Sequence, residues 1–200
     1  MAQTSEHNPE QAHATAALAV QRYFPLQAGR MWTYVEQVVT PSATLLLERR
    51  VTLTIYSKHQ NEYVAHWDFQ SGQPPLPNIR YRVLDDGVQH AQLTGDTAYT
   101  PFFHFLKAPL VVGNSWRIMP GTVMRVSAVR LFCVVPAGAF QDCVEILRQD
   151  DPTPDNRVLT QYRFAPDTGL IWQQRRLFQR ERLERIDTME LQKLPEPSQL

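Results

Sequence analysis

One short pattern occurs twice in this chain, in the same order. Pro25-Leu26-x-x-Gly29-x-x-Trp32 returns as Pro109-Leu110-x-x-Gly113-x-x-Trp116, a shift of 84 residues. Tyr81-Arg82 followed by Asp86-Gly87-Val88 has a looser echo in Tyr162-Arg163 followed by Asp167-Thr168-Gly169-Leu170, a shift of about 81. Two anchors that travel together point to one β domain, residues 22–192, built from related halves at 22–106 and 107–192. An N-terminal helical segment, 1–21, would precede it and a disordered tail, 193–200, would follow. In each copy the proline stiffens the chain, the glycine turns it and the tryptophan opens a strand and seals the core. An aromatic ring beside a glycine can also take a flat ligand, but the structural role accounts for the whole pattern.

Two hundred residues suit one domain or two small ones. Twenty basic and twenty acidic side chains cancel, so no global field draws in nucleic acid or an anionic membrane. Fifteen prolines favour short strands joined by rigid turns over long helices. Cys133 and Cys143 fall short of a disulfide framework, and two reduced, buried thiols are expected. No run of 18 apolar residues exists to span a bilayer as a helix. Residues 1–12 lack lysine and arginine, and Ala14–Val20 is short and alanine-rich, so the chain as written shows no signal peptide.

Pro9 to Tyr23 favours helix, with Asn8 as N-cap and Pro9 at the first helical position. The β signal then dominates. Met31–Val39 alternates, with Trp32, Tyr34 and Glu36 on one face. Thr44–Ser57, Glu62–Phe69, Ile79–Leu84 and Val88–Gln92 read as strands, the last two joined by Asp85-Asp86-Gly87. Ser115–Met119 and Thr122–Val135 flank Pro120-Gly121, and Pro136-Ala137-Gly138 leads into Cys143–Arg148. Gln149–Asn156 reads as a loop, and Val158–Phe164 pairs with Leu170–Phe178. Gln173–Leu191 has a helical composition but holds neither period cleanly; two strands joined near Gln179–Arg182 fit the rest better. The expected fold is all-β, mainly antiparallel, a twisted open half-barrel or sandwich with one N-terminal helix.

These motifs, together with Val135-Pro136-Ala137-Gly138-Ala139-Phe140, Asp142-Cys143 and Tyr162-x-Phe164-Ala165-Pro166, resemble a group of uncharacterised bacterial proteins, many of them predicted lipoproteins of the cell envelope. The resemblance covers roughly residues 22–178. It implies an antiparallel β fold and carries no established catalytic residues. The chain departs from the group in lacking a lipoprotein leader and its lipidated cysteine.

No nucleophile elbow, zinc-protease helix or phosphate loop is present, so no catalytic residue is assigned. His7, His13, His59, His66, His90 and His104 share no metal-ligand spacing; His66 and His90 could meet across strands, but no third ligand is evident. Asp150, Asp151, Asp155 and Asn156 depart from the calcium-loop pattern and read as turn residues. Arg175, Arg176, Arg180, Arg182 and Arg185 interleave with acids, which favours a solvated face over a nucleic-acid site. No cofactor is expected.

Tyr99-Thr100-Pro101-Phe102-Phe103-His104-Phe105-Leu106, between the halves, is too apolar for an exposed linker. Side chains alternate on an extended chain, so Phe103 and Phe105 should face the core. Tyr99, Phe102 and His104 are then left as the candidate contact for a partner or ligand. The sequence thus favours a non-catalytic binding or accessory protein that meets a protein partner through a sheet face or residues 99–106. The alternative is a carrier of a small apolar ligand or lipid in a half-barrel cavity. The location is the cell envelope if a leader belongs ahead of this chain, and otherwise the cytoplasm.

Overall fold

The computed structural model describes residues 20–57, 61–69, 78–94, 97–98, 101–153 and 155–196. Most of the expected N-terminal helix lies outside these residues; 20–23 are helical. Thirteen strands follow. The first seven are β1 (Met31–Val39), β2 (Thr44–Ser57), β3 (Glu62–Phe69), β4 (Ile79–Leu84), β5 (Gly87–Thr94), β6 (Thr97–Ala98) and β7 (Phe103–Lys107). The others are β8 (Ser115–Met119), β9 (Thr122–Val135), β10 (Gly138–Thr153), β11 (Asn156–Ala165), β12 (Gly169–Gln179) and β13 (Arg182–Glu196).

All pairings are antiparallel, in the order β6-β5-β4-β3-β2-β1-β13-β12-β11-β10-β9-β8, with β7 also on β5. Each limb is a meander of sequence neighbours, and one non-local pair, β1 with β13, joins them. The all-β antiparallel expectation holds. β12 and β13 are the two strands expected over Gln173–Leu191. The turn between them, Arg180-Glu181, has both residues at positive φ, the twist that a tight hairpin requires.

Two boundaries differ from expectation. β13 runs to Glu196, reaching into the expected tail, because Lys193 and Glu196 still pair with Thr33 and Met31. The expected loop at Gln149–Asn156 is a tight hairpin: β10 continues to Thr153, which pairs with Asn156, whose Nδ2 donates to the Thr153 hydroxyl at 3.0 Å.

An antiparallel sheet with one apolar face and no second layer has to cover that face itself. This one curls. Phe105 on β7 lies 5.3 Å and 5.6 Å, ring centre to ring centre, from Tyr162 and Phe164 on β11, in the other limb of the sheet. Phe24, just after the helical turn, completes the junction at 5.6 Å from Phe105 and 4.9 Å from Tyr81. The sheet stays unclosed between β7 and β8, where the Trp116 indole donates to the His104 carbonyl at 2.9 Å.

The glycine and tryptophan of the repeated motif have the same local form in both places, while the peptide bond before the proline is cis only in the second copy, at Ala108-Pro109. Gly29 and Gly113 sit at φ 73° and 92°, a region other residues seldom enter. Trp32 and Trp116 are each the second residue of their strand, and both are buried. Each indole donates to a distant carbonyl, Trp32 to that of Thr168 at 2.8 Å. Gly87 has a different reason. A Cβ there would lie 2.1 Å from the Leu106 carbonyl oxygen, so its lack of a side chain lets β7 close on β5.

The alternation expected of β7 holds for its rings. Phe103 and Phe105 both contact the His90 ring, whereas Phe102 lies under the Arg82 guanidinium at 4.0 Å. Phe105→Ala should therefore cost roughly 3–5 kcal/mol of stability in urea unfolding. Phe102→Ala should cost only about 1 kcal/mol, the scale of a partly exposed cation–π contact. Equal losses would mean that Phe102 also belongs to the junction.

Candidate functional site

Large rings meeting across a curled sheet do not fill the space between them. A cavity of about 220 Å³ remains, bounded by both limbs. Its apolar wall includes Phe24, Trp32, Tyr81, Phe105 and Leu170, with Ala65 supplying the space of a missing side chain. A more open hollow of about 320 Å³ lies beside Phe24 and Leu26, with Gln21 and Asn61 in its lining and no charged side chain among the described residues.

The polar side of the cavity comes from strands far apart in sequence. Arg148 on β10 is gripped by Asp150, its Nε at 2.8 Å and its Nη2 at 2.9 Å from the two carboxylate oxygens. Such a two-point contact fixes the guanidinium plane. Asp150 also accepts from the Thr122 hydroxyl at 2.8 Å, which turns the carboxylate away from the void. Burial works against the Arg148 charge, but Tyr162 and Asp150 more than offset it, and its pKa lies above the ordinary value. Burial pushes the Tyr162 phenol pKa up, so it stays a neutral O–H donor. Gln173 on β12 stands directly opposite Tyr162 in the ladder.

His90 on β5 completes this side. Its ring stacks on Phe105 at 4.9 Å and meets Phe103 edge-on at 4.1 Å. Part of the residue reaches solvent, yet its Nδ1 is enclosed and has no hydrogen-bond partner among the described residues. Burial, and secondarily the Arg148 charge, pull its pKa down to about 3. The imidazole is therefore neutral at physiological pH.

The sequence-derived candidates fall partly on this site. Tyr99 lies outside the described residues. His104 Nε2 is 3.0 Å from the Asp86 carboxylate, on the opposite side of β7 from the cavity-lining Phe105. Phe102 packs on Arg82, which is itself bonded through two nitrogens to the buried Glu62. His66 is exposed on β3, so it does not meet His90. Asp151 accepts from Gln149, and the arginines of β13 pair with Glu184 and Asp187. Cys133 and Cys143 are buried free thiols, the Cys143 thiol donates to the Phe140 carbonyl at 3.8 Å, and burial, followed by the neighbouring Cys133, pushes Cys143 up to about 12. Sequence reasoning missed Arg148, Tyr162 and Gln173 as site residues, and weighed His90 only as a metal ligand with His66. Their only signal is a polar residue on an inward face, visible once the strand register is known.

No family model and no curated protein matches the chain by sequence. By structure it is similar to a predicted exported protein with a YmcC-like fold from Bacteroides fragilis. The TM-score is 0.51 and the identity 15%, over 85% of this chain and 97% of that one. It is also similar to a predicted lipoprotein from Parabacteroides distasonis, with TM-score 0.46 and identity 11%, over 86% and 97% of the two chains. The first likeness is one of fold: the chain shares the β architecture of the Bacteroides fragilis protein. No helix among the described residues is long and apolar enough to cross a membrane.

His90 gives the site a testable pH signature. A histidine held neutral in the fold protonates in the unfolded chain below about pH 6.5. The unfolded state then binds more protons, so stability is full above that pH and falls as pH drops towards 3. Urea unfolding at pH 7 and pH 5 should show a loss that His90→Gln largely abolishes. An unchanged pH slope in the variant would place His90 in contact with water.

Proposed function

We propose that this is a non-catalytic binding protein that holds a small, largely apolar ligand inside the curled sheet. The observation that supports this reading is the cavity of about 220 Å³ with aromatic walls and a few converging polar groups. That combination is typical of small-molecule sites. The setting is a single domain over 22–192, whose two related halves supply opposite walls. An envelope location fits the motif resemblance and the export predicted for the Bacteroides fragilis protein. Fractionation of the source cell tests it: recovery in the envelope or periplasm supports this location, and recovery in the cytosol overturns it.

A second reading, contact with a protein partner, has its own support on β9. Phe132 and Val134 are 67% and 69% exposed on one face of the strand. β8 covers β9 only as far as Arg125, and among the described residues no strand pairs with that edge beyond Val126. An open edge with apolar side chains suits an added strand from another protein. Tyr99, Phe102 and His104 remain the proposed contact under this reading if the partner sits at β7.

The two readings separate by substitution. Ala65→Leu puts extra carbons into the void at a cost of about 1–3 kcal/mol at most. Native mass spectrometry of protein from the source cell should show a retained small molecule in wild type and none in Ala65→Leu. Phe132→Lys should keep the small molecule. Retention in Ala65→Leu, or a bound subunit lost in Phe132→Lys with no small molecule in wild type, would favour the partner reading.

A further inference from the structure

Resting on the ligand-binding reading, we infer that the ligand is a small aryl carboxylate, its ring between Phe105 and Trp32 and its carboxylate received by Arg148 and Tyr162. Size sets the first limit. A dry cavity of roughly 150 Å³ holds one benzene ring. About 220 Å³ therefore suits one substituted ring or two fused rings, and not a long acyl chain. The walls set the second. Phe24, Tyr81, Phe105 and Tyr162 meet in tilted and edge-on pairs, so the void between them is bounded by flat faces. A planar ligand continues that packing at the ring separations already present.

The polar groups set the third limit, and they converge on one end. Asp150 occupies Nε and Nη2 of Arg148, which leaves Nη1 outside that pair on a guanidinium of fixed plane. Tyr162 presents an O–H, and Gln173 lies opposite it. The His90 ring belongs to a wall of the same cavity, while its Nδ1 is enclosed and out of reach of the void. A hydrocarbon would give the Arg148 and Tyr162 donors at that end no acceptor. An amine would bring a second cation beside Arg148. A carboxylate offers two acceptor oxygens to a donor-rich end whose own carboxylate, Asp150, is already engaged by Arg148 and Thr122.

Calorimetric titration with 2-naphthoate, its neutral isostere 2-naphthamide and unsubstituted naphthalene tests this. The naphthoate should bind one to one and at least tenfold more tightly than the amide. Tyr162→Phe keeps the ring and should reduce that preference severalfold. The charge-neutral pair Arg148→Met with Asp150→Asn should abolish it while naphthalene still binds. Equal binding of acid and amide by wild type, or a preference that survives in Tyr162→Phe and in the paired variant, overturns the carboxylate inference and leaves the ligand-binding reading standing. Failure of all three compounds to bind overturns both.

Discussion

Everything in this structure depends on one constraint: a long antiparallel sheet has an apolar face and, among the described residues, no second layer to cover it. Curling is the available solution, and the point of contact is Phe105. Its ring touches Phe24, Tyr81, His90, Tyr162 and Phe164, which come from both limbs and from the N-terminal turn. Aromatic pairs of this geometry contribute about 0.5–1.5 kcal/mol each beyond the area they bury. Several of them acting together match the scale of a small domain's whole stability. The β1–β13 pairing makes the sheet continuous, Gly87 lets β7 approach, and the two tryptophan indoles tie the turns to distant carbonyls.

The same rings that join the limbs also prop them apart. Side chains as large as Phe and Tyr leave gaps where flat faces meet at an angle, and small residues such as Ala65 do not fill them. Strand register then brings Arg148 and Tyr162 to the rim of the gap from one limb and His90 from the other. Arg148 is tolerable there because Asp150 neutralises it, and Asp150 because Arg148 and Thr122 satisfy it. His90 is tolerable because it stays neutral. The site is thus a product of closure: neither limb holds it alone.

Local features of this fold were legible in the sequence, and long-range ones were not. The alternation of Trp32, Tyr34 and Glu36, and the turn at Arg180-Glu181, follow from nearest-neighbour chemistry. Phe103 and Phe105 share a face because side chains alternate along any extended strand. The pairing of β1 with β13 leaves no local trace, since both strands look like ordinary alternating segments. Gly87 reads from sequence as a turn glycine; only the approach of Leu106 shows that the missing side chain matters more. Arg148 escaped notice, and His90 was weighed only as a metal ligand with His66, because a polar residue in a strand normally faces solvent. Their inward direction emerges only from the register of β10 on β11 and of β5 on β7.

A double-mutant cycle between Phe105 and Phe164 tests the closure itself, because these rings sit on β7 and β11 and touch only if the sheet curls. Each is replaced by leucine, singly and together, and stability is measured by urea unfolding. Closure through this junction predicts a coupling of about 0.5 kcal/mol or more, as for residues in contact. Additivity to within about 0.3 kcal/mol, the behaviour of distant sites, would contradict it.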